Sequence, residues 1–257
     1  TSETIHPDKG GLQETGTSDW GIGAIQSVNQ EAGAYLFKGE HATLMLQPVN
    51  DAIVRVKLLL DHRLDIRTTI AVEPAAFTLV QARLEETAQT YQLIMPALTV
   101  QVRKDSAVLA FYNEKGELIS EDVGIYRAGR GVYGCRKRME PDSHVYGLGE
   151  KTSFLDKKGE KYDMWNSDVF DPHVPEIECL YVSIPFMIHF RYEKPAYGIF
   201  LDNPGRTSFD MRTDEQSYSF QVDSGTIDYY FILGPELKDV VSNYSSLTGR
   251  MELPPAW

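Results

Sequence analysis

The chain reads as all-β, a β-sandwich with one helix at its C-terminal end. Three observations predict this. Short apolar runs alternate with polar residues at a period of two. Turn-forming residues separate those runs along most of the length. A helical apolar repeat stands out only near the end.

The elements follow in order. Residues Thr1 to Asp19 are polar and rich in Gly, Ser and Thr, which predicts a loose tail or a first strand pinned late. Val54, Val56, Leu58 and Leu60 alternate, mostly at period two, with Arg55, Lys57 and Leu59. Leu98, Val100 and Val102 alternate with Thr99, Gln101 and Arg103, the mark of a half-buried strand. Val108 to Tyr112 and Glu117 to Ile119 flank Asn113–Gly116, a hairpin loop with glycine where positive φ is expected. Tyr181 to Tyr192 and Tyr197 to Leu201 flank a second turn, Glu193 to Ala196. Tyr218, Phe220 and Val222 alternate, and Asp223 to Gly225 turns into the apolar run Thr226 to Leu233.

Pro235 and Glu236 suit the first turn of a helix, where a missing N–H does no harm and negative charge is favoured. Leu237, Val240, Val241, Tyr244 and Leu247 fall on one helical face, and Gly249 is a stop. Pro254-Pro255 then forces an extended exit. This gives a tail over 1–19, a sandwich over 20–234 with a long loop at 151–178, and a helix and linker over 235–257. A helix ending in a stiff apolar peptide is expected to lead into more protein. Leu253, Pro254, Pro255 and Trp257 are expected to pack at that junction.

Composition narrows the function. A chain of 257 residues, 42% apolar and 24% charged, can bury a full core. The net charge of -12, from 37 acids against 25 bases, argues against nucleic acid as a partner. No run is long or apolar enough to span a membrane as a helix, and no signal-peptide pattern opens the chain. A cytoplasmic location is the default expectation, although the chain begins on Thr1 rather than Met. Cys135 and Cys179 read as two buried thiols rather than a disulfide. No cofactor is expected.

The segment from Val145 to Pro185 differs from the rest. Gly147 and Gly149 suggest a bend or a close backbone approach. Lys151 to Glu178 is too polar and broken for a core strand, and loops of this length tend to be functional or disordered. Tyr162, Met164, Trp165 and Phe170 disfavour disorder. Sugars suit such a loop: their C–H faces stack on rings such as Trp165, and their hydroxyls pair with Asn166 and Asp168. The plainer reading has Trp165 packed under the loop and Asp168 capping a turn. His173 with Glu176 and Glu178 reads as a solvated loop rather than a metal site.

Several motifs in order resemble the N-terminal domain of glycoside hydrolase family 31, which contains α-glucosidases and α-xylosidases. They are Tyr146-Gly-Leu-Gly-Glu-Lys-Thr152, the Gly159…Met164-Trp-Asn-Ser-Asp168 block, Tyr181…Ser183-Ile-Pro185-Phe186 and Tyr197-Gly-Ile-Phe-Leu-Asp-Asn203. Tyr229-Tyr-Phe…Gly234-Pro…Tyr244…Leu247-Thr-Gly-Arg250…Leu253-Pro-Pro255…Trp257 is similar to the family's passage into its (β/α)₈ barrel. The resemblance is strongest from Tyr146 onward.

The resemblance implies a galactose-mutarotase-like β-sandwich, with a loop that reaches over the active site of a barrel outside this chain. It implies that Asp168 contacts sugar hydroxyls, with Trp165 and Asn166 beside it. Ser167 stands where the family more often has Thr. It also implies that the catalytic pair, a nucleophile and an acid/base, lies on the barrel, so no catalytic residue is expected here. The implied partners are an α-linked oligosaccharide and the barrel itself.

Two alternatives remain on the residues. A mutarotase-type aldose epimerase would need a His acid and a carboxylate base at one sugar ring, drawn from His144, His173, His189, Glu150, Glu176 and Glu178. His189 sits in an apolar run and reads as a core residue. A carbohydrate-binding module would bind sugar on its own.

Overall fold

A computed structural model describes residues 20–170, 172–174, 177 and 179–255. The expectations for residues 1–19, Glu176, Glu178 and Trp257 fall outside these.

Turn chemistry and alternation produce seventeen strands among the described residues. They are β1 (Ser27–Glu31), β2 (Ala34–Lys38), β3 (Thr43–Asn50), β4 (Ile53–Leu59), β5 (Arg83–Glu86), β6 (Thr90–Ile94), β7 (Leu98–Arg103), β8 (Leu109–Asn113) and β9 (Leu118–Gly129). There follow β10 (Val132–Arg138), β11 (His144–Gly147), β12 (Lys161–Met164), β13 (Phe186–Phe190), β14 (Ala196–Leu201), β15 (Thr207–Asp210), β16 (Ser217–Val222) and β17 (Asp228–Gly234). A 3₁₀ turn covers Pro74–Ala76, and the helix α1 covers Leu237–Thr248.

The strands form two antiparallel sheets. One runs β1-β2-β3-β4-β17-β14-β13-β11, the other β12-β15-β16-β10-β9-β8-β7-β6-β5. Their facing sides bury the main core. Phe111 of β8 stacks on Phe231 of β17 across the layers, with ring centroids 4.0 Å apart. A second core lies on the outer face of the first sheet, where Phe186, Phe200, Tyr230 and Ile232 pack under Val240 and Leu247 of α1. No helix among the described residues is long and apolar enough to cross a membrane.

The structure corrects several readings. In β4 the alternating Arg55 and Lys57, whose exposure the pattern left open, are buried like their apolar neighbours. The chain after β4 folds over them. Arg55 donates from Nε and Nη2 to the Asp228 carboxylate at 2.8 and 2.6 Å, and from Nη1 to the Ile66 carbonyl at 2.8 Å. Only Phe186–Phe190 of the long run expected from Tyr181 pairs as a strand. Ile184 instead donates its N–H to the Gly149 carbonyl at 2.7 Å, and Glu150 donates to Val182 at 3.0 Å, so that stretch tethers the loop.

Pro235 and Glu236 precede the helix rather than fill its first turn. Glu236 is the N-cap and forms a reciprocal capping box with Asp239. Val241 is 47% exposed, so the buried face of α1 narrows to Leu237, Val240, Tyr244 and Leu247. Neither cysteine forms a disulfide; Cys135 is buried, but Cys179 is only half-buried.

Candidate functional site

The loop expected to carry function springs from Gly147, at the end of β11. Its φ is 98°, and a Cβ there would lie 2.5 Å from the Phe186 carbonyl oxygen. Only glycine allows β11 and β13 to approach so closely at this conformation. The chain then runs out past Lys151 and returns as β12 at the edge of the second sheet. Lys151 Nζ donates to the Asp163 carbonyl, and Thr152 Oγ1 donates to the Val174 carbonyl at 2.9 Å.

Trp165, Asn166, Ser167 and Asp168 follow β12 directly, and all four are exposed. Trp165 keeps 51% of its surface in solvent, so it does not pack under the loop. Ser167 donates its N–H to the Leu180 carbonyl at 2.8 Å, which ties the two limbs of the loop together. Tyr181 reinforces this by donating its hydroxyl to the Val169 carbonyl at 2.6 Å. The Asp168 carboxylate makes no hydrogen bond to a described residue, so it caps no described turn.

A hollow of about 300 Å³ opens beside the indole. Trp165, Asn166, Ser183, Pro185, Asn203 and Thr207 line it, and no charged side chain lines it among the described residues. Thr207 Oγ1 and Ser183 Oγ are buried there without a hydrogen-bond partner among the described residues. Such walls suit a neutral ligand with apolar faces and hydroxyls. Arg206, next to the hollow, is paired with Asp163, which keeps its charge engaged. The structure brings Trp165 and Asn166 together at the hollow and leaves Asp168 farther along the exposed loop. Sequence reasoning assigned no role to Ser183, Asn203 or Thr207. Ser183 lay inside one of the quoted motifs and Asn203 ended another, which was the available signal.

The three histidines singled out for an epimerase have other surroundings. His189 is buried, its ring stacks on Tyr197 at 4.7 Å between centroids, and Nε2 meets Ser143 Oγ at 2.9 Å. Burial pushes its pKa down to about 3, so it stays neutral as a core residue. His144 Nδ1 lies 2.7 Å from Asp156 Oδ2 at the start of β11. His173 meets the Tyr181 hydroxyl at 3.2 Å on the exposed loop. Among the described residues no group of three His, Cys, Asp or Glu could hold a metal ion.

Known proteins agree with this architecture. A family model described as the glycosyl hydrolase 31 N-terminal galactose mutarotase-like domain matches residues 43–210. Alpha-glucosidase 2 of Bacillus thermoamyloliquefaciens is 36% identical over 262 residues, covering 100% of this chain and 32% of the relative. Alpha-xylosidase XylQ of Lactiplantibacillus pentosus is 36% identical over 120 residues, covering 46% of this chain and 15% of the relative. The solved Flavobacterium johnsoniae GH31 dextranase, complexed with isomaltotriose, is similar with a TM-score of 0.84 and 27% identity, over 93% of this chain and 30% of that one. The chain thus spans a third or less of the length of these relatives. A model match over most of the chain, on a two-sheet sandwich with one C-terminal helix, establishes that the chain belongs to glycoside hydrolase family 31 as its N-terminal galactose-mutarotase-like domain.

Proposed function

We propose that this chain is the non-catalytic sandwich of an α-glycosidase of α-glucosidase type, which hydrolyses terminal α-linked sugars with retention. One observation carries the reading: an α-glucosidase matches the whole chain at 36% identity while the chain spans 32% of it. The remaining length of such a protein is where a barrel and its two carboxylates would lie. In this reading the loop after β12 leans over the barrel's pocket. Trp165 offers a ring face to a sugar, Asn166 a hydrogen-bonding amide, and Asp168 an uncommitted carboxylate for sugar hydroxyls. The substrate is an α-linked oligosaccharide, and the sandwich packs on its own barrel.

Two measurements test this. The chain alone is expected to leave aryl α-glucosides and α-xylosides uncleaved; turnover that co-purifies with it would overturn the reading. In the protein that joins this domain to a barrel, Asp168→Ala is expected to lower kcat/KM by about 1.5–3 kcal/mol, the worth of a hydrogen bond to a charged group. A well-folded Asp168→Ala enzyme with unchanged kinetics removes Asp168 from the pocket.

A further inference from the structure

The same loop holds a nucleophile and a base in contact, away from the hollow at Trp165. Ser153 Oγ accepts from Lys157 Nζ at 2.9 Å and from the Tyr162 hydroxyl at 3.0 Å. Lys157 is only 6% exposed. Its other hydrogen-bond acceptor among the described residues is the Phe154 carbonyl, and no carboxylate among those residues accepts a hydrogen bond from it. Burial, and next the positive charge of Lys151, push its pKa below the ordinary lysine range. A lysine in this state can give up its proton and then accept one from a bonded hydroxyl. Once the amine is neutral, the Tyr162 hydroxyl, still donating to Ser153 Oγ, leaves the serine proton to point at the amine. A serine activated by a lysine is a known variant of the serine–base arrangement.

Ser153 and Tyr162 line a hollow of about 390 Å³, so the hydroxyl borders open space. Lys158, Lys161 and Arg212 stand around the same hollow, in a chain whose net charge is -12. Asp156 and Glu160 also line it. Asp156 is committed to His144 Nδ1 and to the N–H groups of Val145 and Lys158. The cations therefore favour a ligand that carries negative charge.

We propose that Ser153 is an activated nucleophile, with Lys157 as general base and Tyr162 fixing the hydroxyl, that takes an acyl group from small anionic acyl donors such as acyl phosphates. The neutral Lys157 amine accepts the Ser153 proton as Oγ bonds to the acyl carbon. The bond from that carbon to the phosphate oxygen breaks, and phosphate leaves with the electron pair. The Lys157 ammonium then returns its proton to the departing phosphate. Lys161 and Arg212 face the charge that leaves. This chemistry is independent of the glycosidase reading.

The test uses chain 1–257 with acetyl phosphate, and p-nitrophenyl acetate as an uncharged donor. Intact mass and peptide mapping are expected to find one acetyl group on Ser153, formed faster from acetyl phosphate at equal intrinsic reactivity. Ser153→Ala removes it, and Lys157→Met slows it at least tenfold with an unchanged circular dichroism spectrum. Should Lys157→Met fail to fold, Tyr162→Phe, which keeps the ring packing, is expected to slow acylation severalfold instead. Acetyl found only on lysine side chains, or folded Lys157→Met and Tyr162→Phe variants acylated at the parent rate, would overturn the proposal.

Discussion

Three buried polar side chains, His189, Lys137 and Asp122, set the chain's most testable residue-scale behaviour. His189 has its pKa held at about 3 by burial, against an ordinary value of 6.5. Unfolded chains therefore bind more protons than folded ones between those two values. The neutral ring's contribution is full above pH 6.5 and is lost as pH falls towards 3. That contribution is worth roughly 3–6 kcal/mol. Denaturant midpoints across this range should fall with acid, and His189→Gln should flatten the slope; an unchanged slope would mean that another group carries it. Lys137 and Asp122 form a fully buried pair between the sheets, with the Phe111 ring 4.4 Å from Lys137 Nζ. Burial raises the Asp122 pKa even though Lys137 opposes it. Lys137→Met alone leaves a buried acid without its partner and should cost about 3–5 kcal/mol, while Lys137→Met with Asp122→Leu should recover most of the loss. Thermal or denaturant unfolding of the three variants measures this.

At the scale of elements, the close approach of β11 and β13 and the covering of β4 organise the functional face. Gly147→Ala would place a methyl 2.5 Å from the Phe186 carbonyl in a left-handed conformation. A loss of about 2–4 kcal/mol is expected, with the loop after β11 displaced. Unfolding curves and the Trp165 emission spectrum report the two effects, and a neutral Gly147→Ala would mean the strands can part freely. Arg55 holds the chain after β4 through the Ile66 carbonyl at 2.8 Å and the Arg67 carbonyl at 2.5 Å. Arg55→Met should release amide protection across residues 61–72 and leave Asp228 with Lys57, 3.3 Å away, as its remaining cation, at a cost of about 3–5 kcal/mol. Hydrogen exchange of that segment checks it. A period-two pattern predicts which side chains share a face, but not whether a later loop folds over that face. That is why the alternation in β4 does not show that the strand is dry on both sides.

For the whole molecule, the exit beyond α1 lies open. Leu253 is 95% exposed, and Met251 is nearly as open. Met251→Ser with Leu253→Ser should change the stability of the isolated chain by less than ~0.5 kcal/mol, because neither side chain is buried there. A larger loss in chain 1–257 would place the exit peptide against the sandwich. The same pair of changes should weaken the longer enzyme, if the sandwich packs on its barrel as proposed.

The sequence determined the all-β class, the C-terminal helix with its stop at Gly249, the hairpin at Asn113–Gly116 and the core place of His189, because each follows from local periodicity or turn chemistry. Family motifs singled out Trp165, Asn166 and Asp168 as candidates because they lie within four consecutive positions on a single loop. Tertiary structure decided the rest. The short edge strands β5 and β12, and the short β15 beside β12, exist through their partners rather than their own pattern. The 12-residue β9 runs well past Glu117–Ile119, the stretch its local pattern marked, because its backbone pairs with β8 and β10. The hollow at Trp165 gathers Ser183, Asn203 and Thr207 from separate strand ends, and Ser153, Lys157 and Tyr162 meet only because the loop turns back on itself. Contacts of that kind depend on how distant segments close together, which no local spacing records.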